Sequence, residues 1–267
     1  MSIIDEELAK EFLDDPKSVD LSKATEITDG AAELLAKHEG LLRLCGLTEL
    51  SDAAAEALSK HKGMLSLDGL TELSDTAAEA LSKHQEGYLS LMSATSRLSD
   101  AAAEALAKHE ADLILNGLTE LSDSAVKSLS KHKGEYLFLG IQAELSDATA
   151  EALSKHDGEL NVSITNLTNT SLAIKLASYP EWLELDRLTE LSDAAAEALS
   201  KHKGGRLSLD GLTELSDAAA QSLSKHEGDL FLSSLTKLSD AATESLSERK
   251  WEINGMDPKE WAESLRQ

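Results

Sequence analysis

Aromatic side chains are scarce in this sequence: three Trp, three Tyr and three Phe make up 3% of 267 residues. The core must therefore be aliphatic, and 41% apolar residues are enough to build one. Cysteine is reduced to Cys45 alone, which excludes an internal disulfide and leaves no mark of an oxidising compartment. Positive charge is also in short supply. Against 49 Asp and Glu stand 25 Lys and Arg, a formal net charge of −24. Such a surface argues against nucleic acid and anionic membrane as partners and admits a basic one. Acidity of this kind also fits adaptation to high salt. No apolar run approaches the length of a membrane span. The opening residues, MSIIDEELAKEFLDD, carry acid where a secretory signal needs basic residues, so the expectation is a soluble, cytoplasmic protein.

What is abundant is repetition. The stretch LSDAAAEALSKH at Leu50 returns nearly unchanged at Leu73, Leu98, Leu145, Leu191 and Leu215, and more loosely at Ile27, Leu121 and Leu238. Its aspartates are Asp29, Asp52, Asp75, Asp100, Asp123, Asp147, Asp193, Asp217 and Asp240, with Asn169 in a degenerate copy; successive spacings are 22 to 25 residues. That is the signature of a repeat array growing as one continuous core. Leu65 and Leu67 alternate with Ser66 and Asp68, the period of a short strand, and the following Asp-Gly turns the chain. Ser51 is a good N-cap, and Asp52 in the first helical turn complements the helix dipole. Leu50, Ala54, Ala57, Leu58 and His61 share one helical face, and Lys60, His61 and Gly63 form a stop signal. Each repeat is thus a strand, a turn, a helix and a return. Stacking predicts an α/β solenoid with a parallel sheet on the concave side and helices on the convex side. It bends into an arc or horseshoe because strands stack about 4.8 Å apart and helices about 8–10 Å. Alanine lets the helices approach, which keeps the curvature gentle.

The unit LSLDGLTELSDAAAEAL, with its L-x-L core at Leu65 and Leu67, resembles a leucine-rich repeat over about residues 19–256. Its helical part is similar to the bacterial GALA-like subclass. The resemblance implies an interaction scaffold rather than an enzyme. One departure is that Leu70, Leu118 or Leu212 stands where the family places a turn asparagine, so its buried ladder is missing.

The ends read as caps. Residues 1–26 form an N-terminal cap, with a helix over about Asp5–Leu13 and a first strand in VDLSKATEI (Val19, Leu21, Ala24, Ile27). About ten repeats fill 27–256, the last strand being WEINGM with Trp251, Ile253 and Met256. Residues 257–267 form a C-terminal cap helix: Asp257 as N-cap, Pro258 at N1, Glu260 closing a capping box, Trp261 and Leu265 sealing the core. Eleven strands and two caps read as one complete, continuous solenoid.

Several other residue patterns have plain structural readings. The eight histidines, His38, His61, His84, His109, His132, His156, His202 and His226, share one repeat position. One ligand per repeat does not converge on a metal, so they read as packed rings near the last helix carbonyls. Cys45 lies beside a strand and His38 at a helix end, which does not make a thiolate pair. Outward Glu56, Glu79 and Glu104 read as solvated faces, and the sequons at Asn161, Asn166 and Asn169 as chance. In residues 157–188 the alanine-rich helix and the Lys-His ending are gone, which fits either drift or a local contact site.

The informative departures sit on the outward face of the sheet. Five of the few aromatics, Tyr88, Tyr136, Phe138, Trp182 and Phe231, have outward strand parity, joined by Met92, Ile114 and Arg206. Aromatics and Met kept out of the core are what interface anchors look like, although they also raise strand propensity. Asp68 and Asp112 would form a polar rim. The sequence therefore predicts a non-enzymatic protein- or peptide-binding scaffold, its partner carrying basic groups, without cofactor or metal. A structural spacer or self-associating repeat protein is the alternative.

Overall fold

The structure is a computed structural model that describes residues 2–92, 98–118, 121–140, 145–236 and 238–264. The chain divides into two compact units, one of Met1–Ile141 with His156–Asn161, the other of Gln142–Lys155 with Val162–Gln267. Each is built from strand–turn–helix repeats with parallel strand pairing, an α/β solenoid.

In the first unit, strands Leu42–Arg43, Leu65–Ser66, Leu89–Ser90, Leu113–Leu115 and Tyr136–Leu139 pair in parallel, each with the next, and Glu159–Val162 follows at the edge. Helices Asp29–Leu35, Asp52–Leu58, Asp75–Leu81, Asp100–Leu106 and Asp123–Leu129 pack side by side behind them. The second unit has a parallel sheet of Leu183–Glu184, Arg206–Ser208 and Asp229–Phe231, and a parallel pair, Asn166–Leu167 with Glu190–Leu191. Its helices are Asp147–Leu153, Thr170–Ala177, Asp193–Leu199, Asp217–Leu223, Asp240–Ser247 and Pro258–Ser264. The degenerate copy keeps its helix, capped by Asn169.

Strand parity follows the alternation: Leu65, Leu67, Leu89, Leu113, Leu137 and Leu139 are fully buried. The regular repeat helices start on a serine or threonine, as at Ser51, whose Oγ accepts from Ala54 N–H at 3.0 Å. The same hydroxyl donates to the first-turn aspartate of the preceding repeat: Ser51 to Asp29, Ser74 to Asp52, Ser122 to Asp100 and Ser239 to Asp217. The Ser-Asp pair is therefore a lateral tie as well as a cap. On the exposed helix face Glu56–Lys60, Glu151–Lys155 and Glu197–Lys201 form i,i+4 pairs at 3.4, 3.2 and 3.1 Å. Such exposed pairs contribute little, because solvent screens them.

Two local expectations need correction. The first strand is not in VDLSKATEI as a run: Leu21–Lys23 form a 3-10 turn capped by Asp20, and Glu26–Ile27 pair with Ile3–Ile4, ahead of helix Glu6–Asp14. Capping at Asp20 competes with the strand pattern there. WEINGM forms no strand; Ile253 alone is buried and bridges Leu230, while Trp251 and Met256 are exposed. At the C-terminus Asp257 accepts from Lys259 N–H and Trp261 is buried, while Leu265 lies outside the described residues.

The glycine of the Asp-Gly turn serves close approach rather than an unusual backbone angle. A Cβ on Gly69 would sit 2.1 Å from the Cys45 carbonyl oxygen and 2.8 Å from that of Leu47. Both contacts are backbone, which cannot rotate away. Gly69→Ala is expected to destabilise the first unit by about 1–3 kcal/mol, the usual cost of forced overpacking. Denaturant unfolding checks it, and an unchanged midpoint would mean that consecutive turns are not in contact.

Candidate functional site: the outward face of the sheet

Register sets the outward face of the first unit in rows. Pairing of Leu65, Leu89, Leu113 and Leu137 aligns Met64, Tyr88, Asp112 and Tyr136, and the next row is Ser66, Ser90, Ile114 and Phe138. Tyr136 and Phe138, two apart on one strand, stack with centroids 6.2 Å apart and planes 21° apart. Ile114 pairs directly with Phe138, and all three are half-buried. Tyr88 is half-buried as well, and Met92 is 44% exposed. Met64, 45% exposed in the row beside Tyr88, extends the patch; its outward parity was legible, but its value was not. All five residues expected in this unit thus share one face.

The aspartates there are not a free rim. Asp68 accepts from Ser66 Oγ and Ser90 Oγ at 2.6 Å each and from Met92 N–H at 2.9 Å, with the Cys45 sulfur 3.8 Å away. Ser66 and Ser90 are buried by this arrangement, despite outward parity. Asp112 accepts from Tyr136 N–H at 3.2 Å. The expected polar rim is thus a set of lateral acceptors, because a carboxylate with several oxygen lone pairs satisfies donors from two repeats at once. It supplies the inter-repeat bonding expected of the missing asparagine, from a position two residues earlier. Cys45 Sγ lies 3.0 Å from Ser66 Oγ, whereas His38 packs against Phe12 and His61, so the two have separate surroundings.

In the second unit Leu183, Leu207 and Leu230 align, which puts Trp182, Arg206 and Asp229 in one row and Glu184, Ser208 and Phe231 in the next. The Arg206 guanidinium carbon lies 4.7 Å from the Trp182 ring centroid and 4.3 Å from that of Phe231. Trp182 is 65% exposed.

The histidines lie beyond the helices, not in their last turn: helix Asp52–Leu58 ends in a tightened turn, with His61 N–H bonded to Leu58 O at 3.0 Å. Their rings turn inward and stack on one another. In the first unit His38, His61, His84, His109, His132 and His156 follow at centroid spacings of 5.8–6.2 Å, and Phe12 meets His38 edge-on. All but His38 are buried. The expected contact with their own helix carbonyls is replaced by one with the preceding return. His61 Nε2 donates to Gly40 O and His132 Nε2 to Ala111 O, both at 2.9 Å, while their buried Nδ1 atoms have no partner among the described residues. Burial first, and neighbouring rings second, lower His84 and His109 to about 4. Burial also lowers His132 to about 4, His156 adding to it against the Ala111 carbonyl. His202 and His226 stack likewise in the second unit. Arg249 then takes the ring's place, a substitution not singled out in advance although it stands at the same offset from Asp240. It is buried and donates to Leu223 O and Gly228 O at 2.5 and 2.6 Å.

No group of three or more His, Cys, Asp or Glu is placed to hold a metal ion among the described residues, and no helix there is long and apolar enough to cross a membrane.

No protein-family model and no curated protein matches the chain. Among solved structures it is similar to an internalin from Listeria monocytogenes, with 18% identity and a TM-score of 0.47, over 90% of this chain and 72% of that one. It is also similar to a leucine-rich repeat protein from Leptospira interrogans, with 16% identity and a TM-score of 0.36, over 99% and 79%.

Proposed function

We propose that this chain is a non-enzymatic scaffold that binds a protein or peptide on the outward face of its sheet, anchored at Tyr136 and Phe138. The observation that carries the reading is the stacked aromatic pair, with Ile114 beside it, on strands whose inward residues are fully buried leucines. The core does not need these rings. Rigid aromatic anchors surrounded by neutral contacts dominate binding energy in protein interfaces. The net charge of −24 favours a partner with basic groups, by steering more than by contact energy. A cytoplasmic setting and kinship with the GALA-like subclass, suggested by the alanine-rich helices, belong to the same reading.

The test is the double substitution Tyr136→Ala with Phe138→Ala, compared with the unsubstituted chain in affinity capture followed by mass spectrometry. The variant should keep its thermal midpoint to within a few degrees and lose the captured partner. Unchanged capture by a folded variant would move the interface elsewhere, with the acidic helix face next to be tried. A variant that unfolds would contradict the outward placement of the pair.

A further inference from the structure

We propose that the sheet face of the second unit carries a separate carboxylate site, in which Arg206, held between Trp182 and Phe231, pairs with an Asp or Glu side chain of a bound peptide. The site stands on its own residues and does not depend on the patch at Tyr136 and Phe138.

The register fixes the clamp. Trp182 immediately precedes the strand before Arg206 and Phe231 lies on the strand after it, so the guanidinium meets a ring from each neighbouring repeat, at 4.7 and 4.3 Å. Cation–π attraction to two rings holds the guanidinium without supplying an oxygen acceptor for its N–H donors. Arg206 is only half-buried, and among the described residues its guanidinium has no hydrogen bond or ion pair. A cation with five donors, a fixed plane and no counter-ion is a preorganised fork for a bidentate acceptor. Most of the ordering cost that an arginine incurs on binding has been met in the free protein.

Two of the nearby carboxylates are engaged elsewhere. Asp186 accepts from Ser208 Oγ, and Asp210 accepts from Ser233 N–H at 2.7 Å. Asp229 lies beside Arg206 in register, and its charge also acts on the buried Arg249. Glu184, exposed and in the next row beside Ser208, is the remaining nearby acid.

These surroundings choose the ligand. A polyanion brought to Arg206 would meet Glu184, Asp186, Asp210 and Asp229 together, within a chain of net charge −24. A single carboxylate gains the fork and, with one charge, meets far less of that repulsion. The exposed face of Trp182 offers apolar contact beside the fork, and Glu184 suits a basic residue next to it. The fitting occupant is a peptide segment in which one Asp or Glu sits among apolar and basic residues.

The probe is the blocked peptide acetyl-Lys-Leu-Glu-Leu-Lys-amide, titrated into the full chain while the Arg206 Nε–H and Trp182 indole resonances are followed by NMR. Both signals should move and saturate. The same peptide with Gln for Glu should bind about tenfold or more weakly, the usual loss when a charge-assisted hydrogen bond is replaced by a neutral one. Arg206→Lys, which keeps the charge and loses the fork, should weaken binding similarly. The Tyr136→Ala, Phe138→Ala variant should bind this peptide normally, which separates failure here from failure of the first patch. Equal affinity for the Gln peptide, full binding by Arg206→Lys, or no saturation up to about 10 mM would each overturn the proposal. Inorganic phosphate at equal ionic strength giving the same saturable shifts would overturn it in favour of a general anion site. The two peptides are compared on the unsubstituted protein, so the outcome stands even if an Arg206 variant fails to fold.

Discussion

Between pH 7.5 and 5 the first unit is expected to lose several kcal/mol of stability, and His132→Asn to remove about 1–2 kcal/mol of that loss. The cause is the stack of imidazoles. An unfolded histidine titrates near 6.5, whereas burial lowers His84, His109 and His132 to about 4 and lowers His61 as well. The folded state thus favours the neutral ring. For a group with a depressed cationic pKa, stability is fully present above the unfolded value. It falls as pH drops through about 6.5, by up to ~1.4 kcal/mol per unit for each ring, and levels off below the folded value. Protonating His132 would place a donor at its buried Nδ1, which has no acceptor among the described residues, about 6 Å from the next ring. Relief of carboxylate repulsion acts in the opposite direction as pH falls further, so the informative quantity is a difference. Unfolding free energies of the two proteins should converge as pH falls from 7.5 to 5. Parallel pH profiles would show that the rings are charged or solvated in the native state.

Leu139→Ala is expected to cost about 2–5 kcal/mol, the range for truncating a fully buried leucine that leaves a cavity. Leu139 is fully buried, and it pairs in register with Leu115 on the neighbouring strand. Its sheet neighbours are themselves leucines held in parallel register, so the gap can collapse only by moving backbone, which places the cost well above that of a surface change. Phe138, one residue earlier and larger, should cost far less when truncated, because parity points it the other way. Equilibrium denaturation of the two single variants measures the contrast. A loss below about 0.5 kcal/mol for Leu139→Ala would remove it from the core.

The strand–helix unit, the Leu65/Leu67 parity, the Ser51-type caps and the outward set from Tyr88 to Phe231 were legible in the sequence by itself. Each is a local property: alternation reports side-chain direction, and capping reports the backbone a few residues on. What only the tertiary structure decided lies one repeat away along the stack. Ser51 bonds Asp29, Asp68 bonds Ser90, His61 stacks on His38 and His84, and Gly69 lies against the Cys45 carbonyl. No local pattern reports a contact between residues some 22–24 positions apart in the chain, so repetition showed that these positions mattered without showing what they touch. The same distance hid the Arg206 clamp, whose three members come from three repeats, and the Ile3–Ile4 strand, which exists only because Glu26–Ile27 lies beside it. Local preference sets each element, and pairing across repeats decides which polar groups are satisfied and which remain for a ligand.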